Sequence, residues 1–285
     1  MIEIPEVVVL ADQINASMAG KRIKGIKIPR SPGRFSFYLG DPNDYDTLMR
    51  DSYICGGRAI GGMVEIMADD KRIVFSDGAI PRLFDRNEEP NRKSQLTIEF
   101  SDGSFLCVGI QLYGGLWCFS QGGFDNIYYS VAQEKPSPLH SDFDESYYLR
   151  LFETEKSEKL SLKAFLATEQ RIPGLGNGTL QDILWTAELH PKAKVGSLSS
   201  DDRQRLLNSI KNVLKNMADN SGRETERDLF GKAGEYTTKI GRTTYGEPCP
   251  RCGRNIERQD YLGARSTSVL NVKGYNAYTS RWLER

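Results

Sequence analysis

The chain has 285 residues, 39% hydrophobic and 27% charged, and its 38 Lys/Arg balance 38 Asp/Glu. That composition fits a globular protein of about two domains, and no repeat or low-complexity segment interrupts it. No apolar run approaches the ~18 residues of a membrane helix, the start MIEIPEVVVL lacks a signal-peptide pattern, and five scattered cysteines point to a reducing compartment such as the cytoplasm.

Residues 5–18 predict a helix. Val7, Leu10, Ala11, Ile14 and Met18 make its apolar stripe, with Asp12, Gln13 and Asn15 opposite. Pro5 suits the first turn and Gly20 marks the end. Met1, Ile2 and Glu3 stand directly before it, a place where a chain terminus can be held in a site. Short β-prone runs follow at 22–28, 35–39, 53–60, 63–67, 71–76, 94–100, 104–110 and 115–119, with a hairpin turn at Ser101-Asp102-Gly103. Strands at this spacing predict a sandwich or barrel-like sheet pair. Residues 130–143 hold two prolines and read as a linker. Helices are then expected over 147–152, 161–168, from Thr179, and over 201–218. Past Gly222 the chain reads as strand and loop, with a Cys249-Pro-Arg-Cys252-Gly knuckle before β-prone pieces at 255–261 and 266–272.

The stretch with the strongest local signal is 171–191, RIPGLGNGTLQDILWTAELHP. Gly174, Gly176 and Gly178 make a turn that feeds a helix bearing Leu180, Ile183, Leu184 and Ala187 on one face. Asn177 or Thr179 can cap it, and Asp182 suits its first turn. Glycines allow close approach of backbone to a ligand, and a helix start attracts an anion; a helix entry without a ligand is the alternative from pattern alone. The glycine spacing is not that of a dinucleotide fold, and no Lys-Ser/Thr pair follows as in a P-loop. A helix, a glycine turn and a second helix can grip a phosphate backbone. The neutral total hides local excess: residues 232–281 carry nine Lys/Arg against four Asp/Glu, and residues 1–40 carry six against three.

The order of these pieces resembles the formamidopyrimidine-DNA glycosylase/endonuclease VIII family. The resemblance rests on the E-x-P-E opening, the strands, PGLGNG before a helix ending in His-Pro, and the C-x-x-C finger ending in Gly-x-Arg-Ser-Thr. It implies an α+β protein with three parts. These are an N-terminal β-sandwich with its terminal helix over 1–130, a helix–two-turns–helix domain over 131–222, and a finger-like β-hairpin over 223–285. It further implies a monomer, nucleoid-associated in a bacterium, whose partner is double-stranded DNA with a damaged base or abasic site, and no membrane.

Residue by residue, the resemblance assigns Glu3 and Glu6 to the chemical site, beside Met1 and Ile2 at the position of the family's nucleophile. That nucleophile is a terminal proline amine; here the position is Ile2, and an extra residue displaces an amine that must reach within about 3 Å of its target. Gly62 stands for the hairpin lysine, and Ala79 for the methionine that wedges into the stack. Arg82 persists, and Gln111-Leu112-Tyr113-Gly114 keeps an aromatic, Tyr113, able to fill the void beside a flipped base. Asn177, between Gly176 and Gly178, matches a phosphate-binding asparagine, and Arg265 matches the finger arginine on the DNA backbone. Cys249 and Cys252 keep the first zinc pair, but the second falls at Leu270 and Lys273, so no cofactor is expected and a zincless hairpin is the reading. The gripping residues are kept and the chemical ones eroded. The resemblance therefore implies binding of damaged or abasic DNA, with catalysis open. The alternatives are an active glycosylase/AP lyase using the Met1 amine or a lysine such as Lys71 with Glu3 as acid/base, and a non-catalytic interaction scaffold.

Overall fold

The computed structural model describes residues 1–89, 93–262 and 264–269. The chain forms two compact units: Met1–Glu134 with Met217–Tyr236, and Lys135–Asn216 with Thr237–Arg285.

The first unit opens with helix α1 (Ile4–Ser17), started by a reciprocal capping box between Glu3 and Glu6. Its apolar stripe, including Val7, Leu10, Ala11 and Ile14, is fully buried. The opposite face is not simply solvated. Asn15 bonds both the C=O and the N–H of Gly57, at 2.9 and 2.8 Å. A Cβ on Gly57 would lie 2.8 Å from Ile14 Cγ2, so this glycine lets the helix ride close on its strand.

Strands β1 (Ile23–Lys27) and β2 (Ser36–Tyr38), helix α2 (Asp44–Met49), and strands β3 (Ile54–Ile60), β4 (Met63–Ala68), β5 (Lys71–Ser76), β6 (Ala79–Phe84), β7 (Leu96–Phe100), β8 (Phe105–Ile110) and β9 (Gly114–Ser120) follow. They form two open sheets, ordered β1-β7-β8-β6 and β2-β9-β5-β4-β3. All pairs are antiparallel except β2 with β9. One core, including Ile98, Leu106 and Val108 from one sheet and Ile66, Ile73 and Leu116 from the other, lies between the sheets and α1. The open sheets settle the sandwich-or-barrel alternative in favour of a sheet pair. The sequence reading missed β6 because Pro81 interrupts it; β6 is an edge strand, where a missing N–H is tolerated. The supposed linker 130–143 instead begins within helix α3 (Ile127–Glu134), which buries Tyr129 and Ala132.

The second unit holds helices α4 (Glu145–Arg150), α5 (Glu155–Lys159), α6 (Leu162–Ala167), α7 (Asn177–Thr186), most of α8 (Ser200–Asp219), and the hairpin β10 (Glu257–Tyr261) with β11 (Ala264–Ser268). Buried Phe143, Tyr148, Phe152 and Phe165 chain together through ring contacts. No helix among the described residues is long and apolar enough to cross a membrane.

Candidate functional site

The residues that start α1 converge with the segment that leaves α8, all within the first unit. α8 ends in a left-handed turn: Gly222 N–H donates to Met217 O at 2.8 Å and Ser221 N–H to Ala218 O at 3.0 Å, with φ of +91° and +58°. This six-to-one bond with its inner partner is a Schellman ending. It turns the chain back so that Arg223, 3% exposed, meets Glu6. Arg223 Nε and Nη2 form a fork on the two Glu6 oxygens at 2.9 and 2.8 Å, and the Arg223 backbone N–H adds a third bond at 3.2 Å. Its Nη1 lies 3.5 Å from Glu3 Oε1, and Nη2 donates to Met1 O at 3.3 Å. Burial pushes the Glu6 carboxyl up, but the guanidinium outweighs it and holds Glu6 below the ordinary carboxylate value. Burial draws the Arg223 guanidinium down, and Glu3 and Glu6 reverse that to hold it above its ordinary value.

The amine of Met1 sits 3.2 Å from each oxygen of Glu226. Burial holds the Glu226 carboxyl above its ordinary value, against the pull of the amine and of Arg223. Ile2 has its side chain in the core, and its amide N–H donates to Asp77 O at 2.9 Å. An amide nitrogen has no basic lone pair to attack with.

Asp77 and Gly78 link β5 to β6 and lock onto residues 111–114. Gly78 N–H donates to Tyr113 O at 2.9 Å and Gln111 N–H to Gly78 O at 2.8 Å. A Cβ on Gly78 would stand 1.8 Å from Gln111 O, so only glycine fits. Tyr113 is thereby presented at the surface, its phenol pushed up by burial and by Asp77. Arg82 on β6 is drawn by burial down to about 10, with Asp228 opposing. The returning segment docks beside it through Leu83 N–H to Leu229 O at 2.9 Å, and on α1 through Gln13, which bonds Asp228 and the Leu229 N–H at 2.8 Å each. Gly62 lies in the turn between β3 and β4 and brings no cation there. Lys71 starts β5, and its ammonium donates to Ser52 Oγ at 2.9 Å. About 20 Å of extended chain separates it from Asp77, so it does not serve the Met1–Glu3 region.

In the second unit the glycine turn joins α6 to α7. Glu169 and Gln170 are left-handed, as is Gly174 at φ +81°. Gly176, not Asn177 or Thr179, is the N-cap of α7, in extended backbone; Asn177 is the first helical residue and is half-buried. Asp182 does not serve the helix start. It is fully buried and accepts from the N–H groups of Lys239 at 2.9 Å and Ile240 at 2.8 Å. The β10–β11 hairpin docks on the helices. Lys163 donates to Tyr261 O, Lys192 donates to Gln259 at 2.6 Å, and both ammoniums lie over the Tyr261 ring. Lys192 N–H donates to His190 Nδ1 at 3.2 Å, which puts the neutral ring's proton on Nε2, 3.2 Å from Ser268 Oγ. Burial, then Lys192, pull His190 down to about 4. Arg265 pairs through its backbone with Asp260, and its side chain lies outside the described residues.

The described residues do not bring together the four ligands of a structural zinc site. Cys249 is buried among Ile240, Ile256 and Val269, with the Trp185 indole N–H 3.5 Å from its sulfur, whereas Cys252 is exposed. Arg251 lies over Trp185, 4.3 Å from the ring centre, and bonds its carbonyl at 2.9 Å. Leu270 and Lys273, where a second pair would stand, lie outside the described residues and carry no thiol or imidazole. Among the described residues no three His, Cys, Asp or Glu gather as a metal site.

Residues 135–227 match the formamidopyrimidine-DNA glycosylase H2TH domain. The chain is 27% identical over 192 residues to the formamidopyrimidine-DNA glycosylase of Vibrio vulnificus, covering 65% of this chain and 68% of that protein. It is 35% identical over 143 residues to that of Herpetosiphon aurantiacus, covering 48% and 50%. The crystal structure of the MutM (Fpg) protein of Thermus thermophilus superposes at a TM-score of 0.79 with 21% identity, over 96% of this chain and 99% of that one. By this domain, by these relatives and by its fold, the chain is similar to the formamidopyrimidine-DNA glycosylases. A complex of Lactococcus lactis Fpg with abasic-site DNA has the same fold, at a TM-score of 0.78 and 22% identity, over 93% and 97%.

Against the family's pattern, sequence reasoning missed Arg223, Glu226 and Gln13. The signal was present but thin. Gly222, Gly231 and Gly234 fall in a charged run, and two carboxylates at a buried helix start demand a cation.

Proposed function

We propose that the protein binds double-stranded DNA at a damaged base or abasic site, as a monomer, in the manner of a base-excision-repair glycosylase whose proline chemistry is gone. The observation that carries the reading is the glycine turn that sets Asn177 as the first residue of α7, inside the segment matched by the H2TH domain. The positive end of a helix and a short polar side chain together suit a phosphate. The relatives described above are named glycosylases, and the Lactococcus lactis protein was solved on abasic DNA.

The chemistry is weakened on two counts. Ile2 offers only an amide where the family has an amine, and Gly62 offers no cation. A specific observation favours a second reading, a lyase working through the Met1 amine. That amine is only partly buried and touches a carboxylate, Glu226, held above its ordinary value and so nearer the pH at which it could take a proton. Borohydride trapping on duplex DNA with one abasic site, beside intact duplex, decides between them. Tighter binding to the abasic duplex with no adduct supports the binder. A covalent adduct overturns it and, mapped to Met1, establishes the lyase. Equal, salt-insensitive binding to both duplexes overturns the DNA reading.

A further inference from the structure

Beside the locked 111–114 loop the first unit displays large apolar side chains to solvent. Phe35 is 54% exposed, Phe37 49% and Leu112 73%, and Tyr113 is exposed with them. The backbone brings them together: Gly114 N–H donates to Phe35 O at 3.1 Å, and β2 runs parallel to β9 with Phe37 opposite Gly115. Tyr38 turns inward, its hydroxyl on Gln95 O at 2.7 Å, so Phe37 points the other way. Gly115 leaves that outer face bare, and the Trp117 indole lies across it, 2.2 Å from where a Cβ would be. The display is fixed in place. Gln95 Oε1 accepts from Gly33 N–H at 2.6 Å and from Ser36 Oγ at 3.2 Å, and Leu112 is held at φ +70°.

A soluble protein keeps so many exposed rings together where something covers them. Two observations identify the occupant. First, residues 20–40 contain six Lys/Arg and no acid, and Lys24, Arg30 and Arg34 make no ion pair among the described residues; Arg34 stands over the Phe35 ring, 5.6 Å from its centre. Exposed rings rimmed by unneutralised guanidiniums match a polyanion that also offers flat π faces. Second, the rings continue the loop that presents Tyr113, the aromatic already assigned to the void beside a flipped base. Resting on the DNA reading above, we propose that Phe35 and Phe37, with Leu112 at their edge, form a ledge on which the unpaired base opposite the lesion stacks, while Arg30 and Arg34 hold its phosphates.

The test uses the full chain and duplexes with one abasic site opposite 2-aminopurine, whose fluorescence falls on stacking. The Phe35→Ala/Phe37→Ala variant is expected to bind the abasic duplex about tenfold more weakly and to lose the fluorescence quench, with intact-duplex affinity unchanged. Its thermal midpoint should hold, because both rings are solvent-facing. Phe37→Leu keeps apolar bulk without a π face and should lose the quench, whereas Phe37→Tyr should retain it. Unchanged affinity and quench in the double variant overturn the ledge while leaving the DNA reading intact. A wild-type dimer that the double variant abolishes overturns it in favour of a second copy of this chain as the occupant. Wild-type protein that binds neither duplex overturns the DNA reading and the ledge with it.

Discussion

The start of α1 and the glycine turn before α7 have answered sequence change in opposite ways. At the turn the motif residues stand as the family has them, and the structure puts Asn177 at the head of a helix. At the N-terminus the motif is broken by Ile2, yet the region is among the most tightly bonded in the first unit. Arg223 makes five polar contacts there, to Glu6, Glu3 and Met1. That order follows from charge alone, because two buried carboxylates require a counter-charge whatever the region does. Order at that place is therefore not evidence of chemistry, whereas order at the turn follows directly from residues that would touch a ligand.

The sharpest way to break this contrast is to remove Arg223. Arg223→Met strands Glu3 and Glu6 in the interior and is expected to cost about 3–5 kcal/mol in urea unfolding. Glu226→Gln removes only a partly exposed pair and should cost under about 1 kcal/mol. The acid limb gives a second readout. Glu6 has a folded value below its unfolded one, so its contribution is present above the unfolded carboxylate range, near pH 4.3, and is lost as pH falls through the lowered value. That part of the limb should vanish in Glu6→Gln. If Arg223→Met unfolds at the wild-type midpoint, the ion-pair account of this region is wrong.

The hairpin of the second unit supplies the next effect. Trp185→Ala removes the indole that covers Cys249 and seats Arg251, and about 2–3 kcal/mol of local stability should go with it. A chelator should leave the wild-type melt unmoved, with no equivalent of zinc by metal analysis. One bound equivalent, or a melt lowered by chelation, would show that unseen ligands complete the site. His190 makes stability depend on pH by about 3 kcal/mol through linkage. Its folded value, about 4, lies below its ordinary 6.5, so the unfolded chain binds the extra proton between them. Stability should accordingly rise from pH 4 to 6.5 and level off above. His190→Gln should flatten that rise in thermal melts, and an unchanged slope would deny that the buried ring stays neutral.

How much of this was legible depended on the range of the interaction. The α1 stripe, the strands, the glycine turn and the hairpin are local patterns, and each follows from periodicity or a turn residue. β6 was hidden because Pro81 reads as a breaker unless one knows the strand lies at an edge. The site was half legible. Glu3, Glu6 and Asn177 sit in short motifs, but Arg223 lies 217 residues from Glu6 and reaches it only because α8 ends in a left-handed turn. Asp182 shows the same limit: its place in the first turn of a helix predicts a dipole partner, while its buried neighbours make it a clasp for Lys239 and Ile240. Nothing in one sequence ranks such distant partners.

The last test separates gripping from reading. Asn177→Ala removes an uncharged contact to phosphate, expected to weaken binding by about tenfold. Phosphate contacts position the protein without choosing a site, so abasic and intact duplexes should lose equally. Counterion release scales with cations, not amides. The slope of log affinity against log salt should therefore match wild type in Asn177→Ala, whereas Arg34→Ala should reduce it by about one. Fluorescence anisotropy at several salt concentrations measures both. A changed slope in Asn177→Ala would mean the substitution has moved cations along with the turn. A loss confined to the abasic duplex would place Asn177 at the lesion and not on the backbone.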